Sequence, residues 1–184
     1  SIGGPVAGVT ITGSNGADRI DAGNAPRNQP LPTDGDDIIN GLAGNDIIAG
    51  LGGNDTINGG AGQDRMFGGI GADTFDFNYV IETAVGPTRD VIQDFEAGTS
   101  STFVDRIDLS GIDANALVAN NQAFSFIGGA AFTVGVAGQV RAVQLAGGQT
   151  LIQANTDGDV AAEFEILIAN GINLSNLDQG DFIL

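Results

Sequence analysis

From Gly41 the chain repeats itself every nine residues without a gap: GLAGNDIIA, GLGGNDTIN, GGAGQDRMF and GGIGADTFD. Each unit has Gly at places one and four, Asp at place six (Asp46, Asp55, Asp64, Asp73) and an apolar residue at place eight (Ile48, Ile57, Met66, Phe75). Glycine at fixed places suits a tight turn that needs positive φ or close backbone approach. The apolar residue that follows reads as the inward-facing centre of a very short strand. The repeat therefore predicts a solenoid, in which no unit buries its own apolar face and neighbours must stack to do so.

The phase extends upstream. PTDGDDIIN at 32–40 carries Gly35, Asp37 and Ile39 at places four, six and eight, and GSNGADRID from Gly13 carries Asp18 and Ile20. Asp18 and Asp37 lie two periods plus one residue apart, so 22–31 reads as a degenerate unit extended by one residue. Two units make one flattened coil. The turn of one unit then stacks on the turn two units later at the strand spacing of about 4.8 Å. This pairing predicts Asp18, Asp37, Asp55 and Asp73 on one edge, with Asp46 and Asp64 on the other.

Two carboxylates about 5 Å apart repel by roughly 3 kcal/mol at an effective dielectric near 20. Such a ladder predicts a cation between its rungs. The whole chain of 184 residues sharpens the point, because 23 acidic against 6 basic residues, all of them Arg, give a net charge of −17. Four divalent ions would halve it to about −9. With no Cys and no His, thiolate and imidazole metal sites, Cys nucleophiles and Ser-His-Asp triads are excluded. Oxygen-only ligands point to a hard cation, calcium first.

The same charge disfavours nucleic acid and anionic membranes as partners, since phosphate binding needs clustered cations. No apolar run reaches transmembrane length. At 42% hydrophobic residues the chain is expected to fold rather than remain an acidic disordered tail. Ser1 to Gly8 lacks the features of a signal peptide, so the chain is expected to follow an upstream domain of the same polypeptide.

After Asp76 the repeat gives way to short apolar runs at 91–95, 106–109, 123–127, 131–134, 140–145, 150–154 and 163–168, which predict antiparallel strands. Residues 113–120 could hold one or two helical turns. The segment NTDGD at 155–159 is read as a hairpin turn. An EF-hand would need a ligand at Gln153 and a bidentate Glu at Phe164.

Repeats in this register resemble the RTX, or hemolysin-type, calcium-binding nonapeptides, a known repeat class. DVIQDF at 90–95, DRIDLSGID at 105–113, EFEILI at 163–168 and the terminal DFIL at 181–184 are similar to the C-terminal β-roll and secretion domain of serralysin-type proteins. The resemblance implies an all-β fold, a right-handed calcium-binding parallel β-roll continuing into an antiparallel, sandwich-like C-terminal part. The expected division is a lead-in strand at 1–12, the roll at 13–76 and a β-rich cap at 77–184.

By the same resemblance, about four or more calcium ions are held by Asp18, Asp37, Asp46, Asp55, Asp64 and Asp73. Main-chain carbonyls of the turns at Gly35, Gly41, Gly44, Gly50, Gly53, Gly59, Gly60, Gly62, Gly68, Gly69 and Gly71 complete the ligand set. Glu82, nine residues beyond Asp73, and Asp90 are expected to close the ladder. The terminal DFIL resembles the uncleaved signal of substrates of type I ABC secretion machinery, which implies a secreted, extracellular bacterial protein. The implied role is non-catalytic: calcium-dependent folding after export. The alternative is a calcium-loaded polysaccharide-binding or adhesin module, resembling an epimerase R-module, with Arg65, Arg89, Arg106 and Arg141 as its candidate cationic face.

Overall fold

The computed structural model of the chain describes residues 6–98 and 104–184. The first five residues of the expected lead-in strand lie outside them. Among the described residues, fourteen short strands form two sheets. In the roll, β1 (Thr10–Thr12), β3 (Ile38–Asn40), β5 (Thr56–Asn58) and β7 (Thr74–Asp76) stack in parallel as sheet A. The strands β2 (Arg19–Ile20), β4 (Ile47–Gly52) and β6 (Arg65–Ile70) do the same in sheet B.

The place-eight residues explain this packing. Ile11, Ile39, Ile57 and Phe75 from sheet A face Ile20, Ile48 and Met66 from sheet B, and all are at most 1% exposed. In each short strand only that residue points inward. A chain with one large side chain per strand can build a core only by stacking coils.

Asp18 does not sit under Asp37. The strand after Asp18 pairs with β4, Arg19 opposite Ile47, whereas the strand after Asp37 pairs with β1 and β5. Asp18 therefore belongs with Asp46 and Asp64, on the edge where the chain passes from sheet A to sheet B. The two aspartates are one repeat apart with ten extra residues between them, an alternative that the arithmetic of the spacing alone does not separate from two periods plus one.

The extra residues run across the first coil. Asp21 and Asn24 exchange backbone hydrogen bonds, and Gln29 Oε1 accepts the Thr12 N–H of edge strand β1 at 3.0 Å. Thr33 then returns to the opposite edge, its N–H bound to Asp37 Oδ2 at 2.8 Å. Pairing an edge-strand donor in this way closes one end of the solenoid.

The cap extends both sheets. β8 (Asp90–Ile92) and β9 (Arg106–Asp108) are parallel to β6 and β7, so the runs at 91–95 and 106–109 continue the roll rather than starting an antiparallel sheet. Among the described strands, antiparallel pairing joins only β11 (Gln139–Gln144), β12 (Thr150–Asn155) and β13 (Phe164–Ile168), and β13 joins sheet B by pairing in parallel with β8. The short β10 (Ser125–Phe126) is the outer edge of sheet B, and β14 (Phe182–Ile183) pairs in parallel with β9 at the edge of sheet A.

Residues 131–134 form no strand, and 113–120 form turns rather than helix. The only helical turns among the described residues are 3-10 segments at Leu174–Asn176 and Gln179–Asp181. Phe75 packs against Phe95 and Phe126 against Phe182, so roll and cap share one core.

Candidate metal centre

Each turn delivers its place-six carboxylate to the neighbouring coil by a fixed hydrogen bond. On the edge from sheet A to sheet B, the N–H groups of Asp18, Asp46 and Asp64 donate to Oδ1 of Asp46, Asp64 and Asp90 at 2.7–2.8 Å. On the opposite edge, Val9, Asp37, Asp55 and Asp73 donate to Oδ1 of Asp37, Asp55, Asp73 and Asp105 at 2.7–2.9 Å. These are the two edges that the spacing predicts, with Asp18 moved to the edge of Asp46 and Asp64. Each is closed by an Asp that lies outside the uninterrupted nonapeptides.

The second carboxylate oxygen carries the chemistry. Oδ2 of Asp46, Asp55, Asp64, Asp73 and Asp90 is buried and accepts no hydrogen bond from the protein. Burying an anionic oxygen without a partner costs several kcal/mol. Desolvation, reinforced by neighbouring carboxylates, pushes Asp46 and Asp73 up to about 6, Asp55 and Asp64 to about 7, and Asp90 to about 8. A hard cation between the rungs would supply the missing partner for all five. The donor set fits calcium, being all oxygen with hydrogen-bonded carboxylates as ligands.

The glycines follow from the same geometry. A Cβ at Gly41, Gly50, Gly59 or Gly68, place one of each unit, would come within 2.1–2.5 Å of Oδ2 of that unit's own Asp. The carboxylate lies under that Cα, so any side chain there would displace it. Place four, at Gly44, Gly53, Gly62 and Gly71, takes positive φ. A Cβ on Gly62 or Gly71 would also come within 1.7 Å of the carbonyl oxygen of the place-four glycine one coil earlier. Gly60 and Gly69 at place two also have positive φ, and Leu42 and Leu51 occupy the same left-handed conformation in the two earlier units. Gly35 stacks against Val6 and Gly8.

The outermost rungs differ. Both oxygens of Asp37 are held by protein donors: Val9 N–H and the Thr33 hydroxyl on Oδ1, and Thr33 N–H on Oδ2. The Oδ2 of Asp18 accepts from the Ser14 N–H and hydroxyl. Ser and Thr stand at place two in these units, and their donors occupy the oxygen that is unpartnered in the inner rungs.

At the far end, Glu82 Oε2 accepts from Asn78 N–H and the Asn58 amide. Glu82 lines a cleft with Gly60 and Ala61, in the turn that leads to Asp64, and its charge adds to the burial that raises the proton affinity of Asp64 and Asp90. Asp105 was missed in the sequence. It ends the second ladder with both oxygens used, by Asp73 N–H and Glu96 N–H, and burial pushes it up to about 7. The signal was present: Asp105 stands two residues before inward-facing Ile107, as Asp90 does before Ile92. Asp94, beside Asp73, accepts the N–H groups of Gly68 and Gly69.

Three other groups lie outside the two ladders. The loop at 156–163 brings Asp157, Asp159 and Glu163 together with one carboxylate oxygen each within 4.8 Å of the others, and it is longer than a two-residue hairpin turn. The arginines do not share one face. Arg65 and Arg141 point outward from sheet B, Arg106 lies on sheet A, and Arg89 is paired with Glu165. The terminal DFIL is built into the fold: Asp181 closes a capping box with Asp178 and accepts Gly98 N–H, and Phe182 is buried. No helix among the described residues is long and apolar enough to cross a membrane.

A family model described as the RTX calcium-binding nonapeptide repeat (4 copies) matches residues 9–25, 33–66 and 43–75. No curated protein sequence matches. Among solved structures, the AlgE6R2 subunit of the Azotobacter vinelandii mannuronan C5-epimerase is similar with a TM-score of 0.61 at 25% identity, over 95% of this chain and 92% of that one. The AlgE6R3 subunit of the same enzyme is similar in fold, with a TM-score of 0.54 at 24% identity over 99% of this chain and 81% of that one.

Proposed function

We propose that this chain, an RTX calcium-binding repeat β-roll, is a non-catalytic module in which calcium binding drives folding. The observation that carries the reading is the set of five buried carboxylate oxygens without a protein partner, three on one edge and two on the other. The cation's binding free energy becomes folding free energy, because the paired turns that would hold it do not exist in the unfolded chain. In a calcium-poor cytosol the chain stays extended and suits export by a type I ABC machine. In millimolar extracellular calcium it folds, together with the upstream domain it serves.

In this reading Asp46, Asp55, Asp64, Asp73, Asp90 and Glu82 are the principal ligands, with carbonyls of the glycine turns completing each site. Asp18 and Asp37 contribute at the outermost rungs. Circular dichroism during a calcium titration from excess chelator tests it. A large gain of β-structure with saturation is expected, and a chain equally folded in chelator and in calcium would overturn the reading.

A second reading, a calcium-loaded polysaccharide-associated module, is favoured by the likeness to two subunits of a mannuronan C5-epimerase. Arg65 and Arg141 on the outer face of sheet B would supply cationic contacts. Saturable, salt-sensitive binding of an anionic polysaccharide to the calcium-loaded chain, lost in Arg65→Ala/Arg141→Ala, would support it.

A further inference from the structure

The last inter-turn gap on the edge from sheet A to sheet B is bounded by Asp64, Asp90 and Glu82. It differs from the gaps inside the roll. Asp46 and Asp64 are 18 residues apart, with turns of equal length stacked directly, whereas Asp64 and Asp90 are 26 apart. The loop between Glu82 and Asp90 has no copy to stack on. Local repetition therefore does not hold these two carboxylates in place.

Contacts from β13 do so. Thr83, next to Glu82 and 2% exposed, donates its hydroxyl to the Glu165 carbonyl at 2.7 Å and accepts the Asp90 N–H at 2.9 Å. The Glu165 carboxylate is buried and fully engaged. Its Oε2 accepts Gly86 N–H at 2.9 Å and is paired with Arg89 through Nε at 2.9 Å and Nη2 at 2.7 Å, while Oε1 accepts the Gln153 amide at 2.6 Å. One side chain thus fixes Gly86 and Arg89 in the connecting loop, and its backbone fixes Thr83. Charge-assisted bonds of this kind are the strong ones.

We propose that Glu165, from the cap, is a positioning residue for the terminal cation site formed by Asp64, Glu82 and Asp90. This rests on the calcium-binding reading above. The roll's inner sites are complete from the repeats alone, whereas this one is assembled only when β13 docks and Glu165 locks the 83–89 loop. The last cation thereby reports that the cap is folded, coupling roll and cap in one equilibrium.

The test is calcium stoichiometry and site-resolved affinity in the full-length chain, by titration calorimetry and native mass spectrometry. Glu165→Gln weakens the charge-assisted clamp, Thr83→Val removes only the bridging hydroxyl, and the swap Arg89→Glu/Glu165→Arg restores the ion pair. Each of the first two is expected to lose one cation, or to weaken one site at least tenfold, with the other sites unchanged; the swap should recover at least part of the loss. Wild-type binding in a folded Thr83→Val variant, or equal weakening of every site, would overturn the proposal. Absence of calcium binding in the wild-type chain would instead overturn the reading beneath it.

Discussion

The roll and the cap solve the problem of a core in opposite ways. In the uninterrupted part of the roll, each rung is bonded to the coil above or below at an offset of 18 residues, and one apolar residue per strand faces inward. In the cap, closing contacts span 79–83 residues, as between Gly86 and Glu165 or Gly98 and Asp181, and aromatic pairs fill the interior. The roll buries aspartate oxygens without protein partners, whereas Glu165 in the cap has a donor for each of its oxygens. A one-dimensional stack has too few side chains to satisfy its own carboxylates and leaves them to a cation. In the cap, apart from Asp90 where it joins the roll, buried carboxylates such as Glu165, Asp105 and Asp181 have donors within the protein.

If that contrast holds, damage to the two halves should respond differently to calcium. The largest effect is expected in the cap. Phe164 is fully buried and meets Phe124 edge to face, so Phe164→Ala should cost about 3–5 kcal/mol in chemical denaturation. Saturating calcium should not remove the deficit.

In the roll, Asp55→Asn should cost about 1–3 kcal/mol in calcium, where the charge holds the cation. In excess chelator the sign should reverse, because a buried unpartnered charge has been removed. Circular dichroism at pH 7 should find the chelated variant at least as structured as the wild type.

The chelated roll should also respond to acid. Its inner aspartates are raised to about 6–8 by burial, against about 4 when unfolded. Between these limits the folded state binds more protons, so its stability falls as pH rises. Acidifying the calcium-free chain from about 8 towards 4 should therefore increase its β-structure, whereas in calcium the same change should weaken ion binding. A calcium-free chain that becomes less structured over this range would break the comparison.

The smallest effect concerns Leu51, a non-glycine residue at φ 81°. Leu51→Gly should stabilise the calcium-loaded chain by about 0.5–1 kcal/mol through relief of left-handed strain, measured as a higher denaturation midpoint.

The inner ladder was legible because its information is local. Asp46, Asp55, Asp64 and Asp73, their glycines and the inward residues two places later stand at a constant interval, and stacking turns the interval into geometry. Glu82 and Asp90 were reached by extending the phase and by the DVIQDF resemblance. Asp105 was missed because its coil is 32 residues long, and no period points to it. Asp18 was put on the wrong edge for a related reason: the spacing of Asp18 and Asp37 fits both an even and an odd number of repeats, and only strand pairing distinguishes them.

By itself the sequence determined that this chain stacks nine-residue turns and strands, that aspartates line the turns, and that an oxygen-binding cation belongs among them. Each of these follows from residue types repeated at a fixed spacing. Only the tertiary structure decided how the ladders end, with Ser14 and Thr33 satisfying the first rungs, Asp105 closing the second ladder, and Glu165 holding the loop before Asp90. Those partners meet across irregular loops, where no periodicity relates position in the chain to position in space.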